Sequence, residues 1–276
     1  MVPEGYVGDG PIGIVEAEGA LWVALFDDGA VARVDPATGE VLETYPVGAG
    51  AIGIAAGAGS LWVTLHLDDA VARIDPASGA VLATIEVGRE PEGIAATESA
   101  VWVTNEDDGT LSRIDPEVDE VVATIEIDLG PRHVAAVGDA VWVTSYVSFT
   151  AQRVDPATNR VVQTVDVGYG PEGIVVAPNA IWVANREADT LTRIDPLSGA
   201  VIGTLDVGDG PEGLLLDGTT LWVALSEADA VARVDTVRAV LLDTLPAGAA
   251  PRRLAAVADG VWAVNSGDST LSLLAR

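Results

Sequence analysis

Histidine and nearby carboxylates are the side chains of this sequence best suited to chemistry. There are two histidines, His66 and His133, and no cysteine, which excludes disulfides and thiolate metal sites. His133 with Glu92 and Glu172 would offer one imidazole and two carboxylates, a donor set that divalent cations accept. A divalent metal at these residues is one hypothesis, and the absence of any cofactor is the simpler expectation. His66 lies near Asp68 in a loop and is predicted to be exposed.

Nucleophilic catalysis is a second chemical hypothesis. If the fold brings Ser145 close to His133, then Glu92 or Glu172 could complete a serine, histidine and carboxylate arrangement. The sequence has no Gly-x-Ser-x-Gly motif and no glycine-rich phosphate loop leading into a helix. We therefore assign no catalytic residue from the sequence.

The elements that carry these residues form a tandem repeat. Seven tryptophans recur forty residues apart, at positions 22, 62, 102, 142, 182, 222 and 262. Each unit holds four short stretches rich in Val, Ile, Thr and Trp, separated by turn residues; in the third unit these are 93–96, 100–104, 111–115 and 121–127. The stretches do not alternate polar with apolar residues, so both faces of each sheet are covered. The sequence predicts an all-β fold, a seven-bladed β-propeller with four antiparallel strands in each blade.

The two ends of the chain predict how the ring closes. The seventh repeat stops after its third strand, and Val-Gly-Asp-Gly at 7–10 aligns with the same four residues at 207–210. Residues 1–7 are therefore expected to pair with strand 271–275, which removes an open sheet edge. The chain is predicted to be one domain with blades at 11–50, 51–90, 91–130, 131–170, 171–210, 211–250, and 251–276 plus 1–10.

The repeat resembles the YVTN-type repeat of seven-bladed β-propellers along the whole chain. The resemblance is carried by Trp-Val-Thr-Asn at 102–105, Arg-Ile-Asp-Pro at 113–116, Val-Ala-Thr-Ile at 122–125 and Gly-Pro-Glu-Gly-Ile at 170–174. The repeat is also similar to that of streptogramin lyases of the virginiamycin B type. That similarity implies two histidines and acidic residues around a magnesium ion at the channel mouth. His66 and His133 lie two blades apart at different repeat positions, so the paired histidines are not reproduced.

Alignment of the repeats with one another separates packing residues from departures. Repeat positions are counted here from residues 11, 51, 91, 131, 171, 211 and 251. Residues present in nearly every blade are expected to be structural: the tryptophans, the arginines at 33, 73, 113, 153, 193 and 233, and the aspartates at 35, 75, 115, 155, 195 and 235. Position 2 varies instead, reading Ile12, Ile52, Glu92, Arg132, Glu172, Glu212 and Arg252. These charges either neutralise one another between blades or bind a ligand.

Blade 4 departs most from the pattern. Its loop between strands 2 and 3 carries Ser145, Tyr146 and Phe149 where most blades carry acids, and Tyr169 precedes the next blade. Antiparallel pairing places this loop and the entry loop at 132–133 on one face, here called the upper face. Drift within one blade and a binding site are both consistent with the pattern. The predicted ligand-binding residues are Glu92, Arg132, His133, Ser145, Tyr146, Phe149, Tyr169, Glu172 and Arg252.

The charge of the chain limits its partners. Against 14 basic residues there are 42 acidic ones, giving a formal net charge of −28. Such a field repels nucleic acids and anionic membranes, and the apolar runs are too short to span a bilayer. We expect a monomer that binds no nucleic acid and does not insert into membranes. It would be cytoplasmic if Met1 is the native start and extracytoplasmic if a leader has been removed.

The sequence favours a non-catalytic binding module. Its ligand would be a small molecule, a peptide or a protein partner on the upper face around blades 3–5. The alternative is a metal-assisted lyase or lactonase of the streptogramin-lyase type at the channel mouth. A divalent metal held by His133 and a carboxylate would favour the alternative.

Overall fold

The protein is a closed ring of seven four-stranded antiparallel sheets. A computed structural model describes residues 5–138 and 140–276. The strands of the first four blades are β2 (Pro11–Ala17), β3 (Ala20–Leu25), β4 (Ala30–Val34), β5 (Val41–Pro46), β6 (Ala51–Gly57), β7 (Ser60–Leu65), β8 (Ala70–Ile74), β9 (Val81–Glu86), β10 (Pro91–Ala96), β11 (Val101–Asn105), β12 (Thr110–Asp115), β13 (Glu120–Glu126), β14 (Pro131–Val137), β15 (Ala140–Ser145), β16 (Thr150–Asp155) and β17 (Arg160–Asp166). The remaining strands are β1 (Gly5–Tyr6), β18 (Pro171–Ala177), β19 (Ala180–Asn185), β20 (Thr190–Ile194), β21 (Val201–Asp206), β22 (Pro211–Asp217), β23 (Thr220–Leu225), β24 (Ala230–Asp235), β25 (Val240–Pro246), β26 (Pro251–Val257), β27 (Gly260–Asn265) and β28 (Thr270–Leu274).

The predicted fold class is confirmed. Each sheet follows chain order except the last, whose order is β1, β28, β27 and β26. The described residues include a single helical turn, a 3-10 turn at Arg186–Ala188 in the upper loop of blade 5. Nowhere in the described part of the chain is there a helix long and apolar enough to cross a membrane.

The ring closes through the N-terminal strand, as predicted. Gly5 pairs with Leu271 and Tyr6 with Thr270, and the Val7 amide donates to the Ser269 carbonyl at 3.0 Å. Val7 is buried, so the closure adds apolar packing to the hydrogen bonds. Residues 1–4 of the predicted pairing segment lie outside the described residues.

The repeated tryptophans and arginines hold neighbouring blades together. All seven tryptophans are buried, and five stack under the arginine at repeat position 23, with the guanidinium carbon 5.1–5.8 Å from the ring centroid. Arg113 then reaches the next blade and donates to the Pro156 carbonyl at 2.7 Å. The aspartates cap the turn after strand 3; Asp35, for example, accepts from the Ala37 amide at 2.8 Å. Both series are therefore structural.

The first strands of the blades surround the central channel. Each packs against the first strands of the two adjacent blades, and β2 packs against β26 to complete the circle. The second and third strands form the buried middle of each sheet, whereas outer strands such as β5 are largely exposed. Side chains that face the channel must therefore come from the first strands.

Candidate functional site

A bulge in the first strand directs two successive residues toward the channel mouth. In blade 3, Pro91 pairs with Asn105 and Ile94 pairs with Val103, so β10 has one more residue than β11 across this interval. All seven blades have an irregularity in the same place. Bulges of this kind re-aim side chains next to binding sites. In six blades positions 2 and 3 of the repeat lie inside the bulge, whereas in blade 7 Arg253 pairs with Val264 and only Arg252 is left unpaired. These two positions line the mouth.

Position 3 is closely packed and favours glycine. Five blades have glycine there, and a Cβ at any of them would lie 2.1–2.4 Å from a carbonyl oxygen of the next blade. The two exceptions are His133 in blade 4 and Arg253 in blade 7. Their side chains meet across the channel, where Nη2 of Arg253 contacts Nε2 of His133. Two long polar side chains thus occupy a position that packing otherwise reserves for glycine.

The cavity beside this contact is small and two-sided. Its volume is about 110 Å³, well below the roughly 300–1,000 Å³ of pockets that enclose a drug-sized ligand. Isoleucines at positions 2 and 4 of blades 1 and 2 form its apolar side. Glu92, His133 and Arg253 form its polar side. The cavity can hold a small group of a ligand, with the rest of that ligand on the upper face.

Three threonines fix the backbone beneath the site. Thr104 and Thr144, at repeat position 14, donate to the carbonyls of Arg132 and Glu172 in the next blade, at 2.8 and 2.6 Å. Thr64 donates in the same way to the Glu92 carbonyl at 2.9 Å. Blades 1, 5 and 6 have alanine at this position, so the threonines occur where the following blade carries Glu92, Arg132 or Glu172. They are positioning residues for the bulges that carry these charges.

Arg132 joins two carboxylates of blade 3. Its Nη1 binds Oε2 of Glu92 and lies 2.9 Å from Oε2 of Glu106, and its guanidinium carbon lies 5.2 Å from the centroid of the Tyr146 ring. Burial lowers the pKa of Arg132, but the carboxylates of Glu92, Glu172 and Glu106 outweigh it and raise that pKa. Burial, together with the charge of Glu92, raises the pKa of Glu106 to about 7. Arg132 is therefore a permanent cation and part of an ion-pair network.

His133 and Glu172 are held in their uncharged forms at neutral pH. The His133 side chain is 18% exposed, and its Nε2 lies 3.9 Å from Oε2 of Glu172. Burial and the positive charges of Arg253, Arg132 and Arg252 lower the pKa of His133 well below its ordinary value. Burial and the charges of Glu92 and Glu212 raise the pKa of Glu172 to about 8, against the opposing effect of Arg132. A neutral imidazole accepting from Arg253 thus lies beside a protonated carboxyl.

A second ion pair lies on the blade 6–7 side of the mouth. Nη1 of Arg252 is 3.3 Å from Oε1 of Glu212, and Nε of Arg252 donates to the Ser266 hydroxyl at 3.2 Å. Glu212 is 1% exposed, and its Oε2 has no hydrogen-bond partner within the described residues. The neutralisation between blades that the sequence suggested is therefore present for Glu92 with Arg132 and for Glu212 with Arg252.

The predicted site residues of the upper loops do not form one cluster. Ser145 is fully buried and its hydroxyl donates to the Asp128 carbonyl at 3.3 Å, which occupies it in loop packing. Within the described residues it makes no hydrogen bond to His133. Phe149 and Tyr169 form an edge-to-face pair in the loops of the upper face, with ring centroids 5.0 Å apart. His66 is half-buried against Phe26, which corrects the expectation that it is exposed.

Sequence reasoning assigned Glu92, Arg132, His133 and Glu172 to one site, and the structure brings them together. It did not select Arg253, although Arg253 breaks the glycine pattern of position 3 as His133 does. Glu106 was not selected either, although it shares repeat position 16 with Tyr146, which was selected. Tyr146 links the mouth to blade 5, since its hydroxyl donates to Oε1 of Glu187 at 2.6 Å.

The donor atoms for a divalent metal are close together but already engaged. One ligand atom from each of Glu92, His133 and Glu172 lies within 4.8 Å of the others. Glu92, however, binds the Arg132 guanidinium, and His133 Nε2 contacts the Arg253 guanidinium. A dication would lie beside two guanidinium groups and compete with both for their acceptors. As arranged, these residues do not fit a resident metal ion.

Comparison with solved structures places the chain among seven-bladed propellers. A chain of hydrazine synthase from Kuenenia stuttgartiensis superposes with a TM-score of 0.87 at 19% identity, covering 97% of this chain and 96% of that one. A catalytically inactive virginiamycin B lyase from Staphylococcus aureus with quinupristin gives 0.84 at 19% identity and 99% coverage of both chains. A streptogramin B lyase gives 0.85 at 15% identity, covering 100% and 98%. The sequence matches no protein-family model and no curated protein.

The chain therefore has the seven-bladed propeller fold that is also seen in the streptogramin B lyases. At such identities the likeness concerns the fold alone, because one propeller scaffold hosts many unrelated sites.

Proposed function

We propose that this protein is a non-catalytic binding module that takes up a carboxylate group of a small molecule or a peptide end at the channel mouth. The main support is that Arg253 has no carboxylate partner in the described part of the chain. Among the described residues no carboxylate oxygen lies within 4.0 Å of its guanidinium, whereas Arg132 and Arg252 are both paired. Its partners are the neutral His133 ring and the Arg252 carbonyl. A partly buried cation without an anion is costly, and an anionic ligand would remove that cost.

The neighbours of Arg253 support an anion rather than a cation. A protonated Glu172 can donate a hydrogen bond to a bound carboxylate instead of repelling it. A guanidinium binds a carboxylate through two parallel hydrogen bonds. Of the three polar side chains that line the cavity, Arg253 is the donor, while the Glu92 carboxylate is already bound by Arg132.

The cavity size and its apolar side support a ligand with a short apolar group next to the carboxylate. Ile12 and Ile52 face the polar side across a space of about 110 Å³. A space of this size admits a small group of a ligand and excludes a larger one. An acid with a small aliphatic chain fits both the volume and the polarity.

The test uses acetate and its neutral isostere acetamide as probes in NMR titrations. Acetate is expected to shift the backbone amides of His133 and Arg253 saturably, and acetamide to bind at least tenfold more weakly. Arg253→Gln should abolish the difference between the two probes. Arg238→Gln removes an exposed charge away from the channel and should leave it unchanged. Equal binding of acetate by wild type and Arg253→Gln would reject the proposal.

The second candidate is a metal-assisted lyase or lactonase, favoured by the spacing of Glu92, His133 and Glu172. It is supported further by the two lyases among the similar folds, as a matter of fold analogy. The same variant separates the candidates. If a metal is the natural occupant, Arg253→Gln frees His133 and should strengthen binding of Mg²⁺ or Mn²⁺, measured by calorimetry. If an anion is the occupant, neither ion should bind wild type or variant below millimolar concentration.

A further inference from the structure

The upper rim of blade 4 is an apolar surface that the channel site does not use. It consists of Leu129, Val147, Phe149 and Tyr169, here called the blade 4 rim. The side chains of Leu129 and Tyr169 are 66% and 64% exposed, and Phe149 is packed edge-to-face against Tyr169. Val147 lies against Gly130, the residue after Leu129, so the four side chains belong to adjacent loops. Aromatic residues in such a position are typical anchors of protein interfaces.

Phe149 adopts a backbone conformation that is unfavourable for a bulky side chain. Its φ is +58°, in the left-handed region, and blades 1 and 3 have glycine at the same repeat position. It is the one aromatic residue with positive φ in the described part of the chain. Left-handed backbone at a bulky residue is strained, and such strain concentrates at ligand-binding segments. Phenylalanine at this position therefore costs backbone strain that glycine, as in blades 1 and 3, does not incur.

Acidic side chains without a basic partner border the blade 4 rim. Asp128 accepts from the Thr150 hydroxyl at 2.7 Å, Glu187 accepts from Tyr146, and Asp166 pairs with Thr150 across β16 and β17. No arginine forms an ion pair with any of these three acids in the described structure. A partner that fits this rim therefore has an apolar side chain flanked by positive charge.

We propose that the blade 4 rim docks a basic segment of a partner protein, with an apolar or aromatic side chain seated on Phe149 and Tyr169. A second copy of the chain is a poor occupant because its net charge of −28 would repel the first copy. The same charge opposes nucleic acid and anionic membranes. This docking surface is distinct from the carboxylate site in the channel, and either can exist without the other.

The experiment uses three capped tripeptides as probes, Ac-Arg-Trp-Arg-NH₂, Ac-Arg-Ser-Arg-NH₂ and Ac-Glu-Trp-Glu-NH₂, titrated into isotopically labelled protein. The first should shift the methyl signals of Leu129 and Val147 saturably. The serine peptide should bind at least tenfold more weakly, and the glutamate peptide should not bind. Equal affinity of the first two peptides would show that binding depends on charge alone and not on the aromatic side chain. Equal affinity of the two tryptophan peptides would show that the acids bordering the rim do not contribute to binding. Either result, or an absence of shifts at the rim, overturns the proposal.

Variants then locate the binding. The double variant Phe149→Gly with Tyr169→Asp carries residues found at these positions in other blades and should weaken the first peptide at least tenfold. Leu67→Asp is the matched control, since Leu67 is 63% exposed at the repeat position of Val147 but belongs to blade 2. Acetate binding in the channel should be unchanged in the double variant, which separates the two sites. Unchanged peptide affinity in the double variant, or a dimer in sedimentation equilibrium that this variant abolishes, would also overturn the proposal.

Discussion

Arg253 and His133 are 120 residues apart in sequence, yet Nη2 of the arginine contacts Nε2 of the histidine across the central channel. The contact is possible because blades 4 and 7 face each other in a ring of seven. Burial and the charge of the arginine keep the pKa of the imidazole low, so the ring is neutral, and the imidazole is the acceptor for a guanidinium that lacks a carboxylate. Each of the two residues thus explains the electrostatic state of the other.

This relationship predicts how His133 titrates. Arg253→Gln removes the nearest positive charge, so the pKa of His133 should rise toward its ordinary value, although burial still opposes protonation. The imidazole carbon-bound protons, followed by NMR between pH 4 and 8, report the change. The conservative variant Arg253→Lys restores a positive charge and should lower the pKa of His133 again, toward its wild-type value. Identical His133 titrations in wild type and Arg253→Gln would show that the contact has no electrostatic effect.

The raised pKa of Glu172 predicts a loss of stability with rising pH. In the unfolded chain Glu172 ionises near its ordinary 4.5, whereas in the folded protein it stays protonated to about 8. The folded state is therefore progressively disfavoured between pH 4.5 and 8, and the loss is complete above 8. Glu172→Gln cannot ionise, so its stability relative to wild type should increase over this range, by about 5 kcal/mol for the full change from 4.5 to 8.

Urea unfolding of wild type and Glu172→Gln at pH 5, 7 and 9 measures this difference. Glu98→Gln makes the same chemical change at an exposed position and is the control. A constant difference between wild type and Glu172→Gln at all three pH values would mean that Glu172 is ionised in the folded protein.

Thr144 is predicted to support the site through its hydroxyl alone. The hydroxyl accepts from the His133 amide at 3.1 Å and donates to the Glu172 carbonyl at 2.6 Å. Thr144→Val keeps the shape but leaves two buried backbone groups unpaired, which should cost about 1–3 kcal/mol in unfolding free energy and weaken acetate binding. Thr124→Val on the exposed outer strand should change neither quantity. A Thr144→Val protein with wild-type stability would show that the bulges do not depend on these two hydrogen bonds.

Phe149 provides a stability test of its own backbone. Phe149→Gly and Phe149→Ala both remove the ring, but only glycine adopts φ near +58° without strain. The glycine variant should therefore be the more stable of the two by about 1 kcal/mol, in thermal or chemical unfolding. If alanine is equal to or better than glycine, the left-handed conformation at this residue is not retained in solution.

The N-terminal strand is predicted to be required for a closed, monomeric ring. Deleting residues 1–9 removes the pairing of Gly5 and Tyr6 with β28 and takes Val7 out of the core. The melting temperature should fall, and the exposed edge of β28 should promote association in sedimentation experiments. Replacing residues 5 and 6 by proline in the full chain removes the same hydrogen bonds and should act in the same direction. A truncated protein that melts like wild type and stays monomeric would contradict the closure.

The sequence determined the scaffold because the same pattern of core and turn residues is repeated in every blade, and each complete copy alone indicates the same four strands. The tryptophan at position 12, the arginine stacked on it and the aspartate turn recur in nearly all blades, and local turn chemistry with apolar burial is enough to specify four strands from each copy. The unfinished seventh repeat likewise specified that β1 completes the last sheet. It also identified Glu92, Arg132, His133 and Glu172 as departures that share one face.

Only the tertiary structure decided which departures meet and which way they point. Arg253 joins His133 because ring closure brings opposite blades together, a relation that no single repeat encodes. Ser145 is buried, and its hydroxyl donates to the Asp128 carbonyl. Phe149 has a left-handed backbone conformation and is partly exposed. The states of His133 and Glu172 follow from burial and from charges on four different blades. Such effects depend on distances of a few ångströms between segments far apart in sequence, so they arise only when the ring is complete.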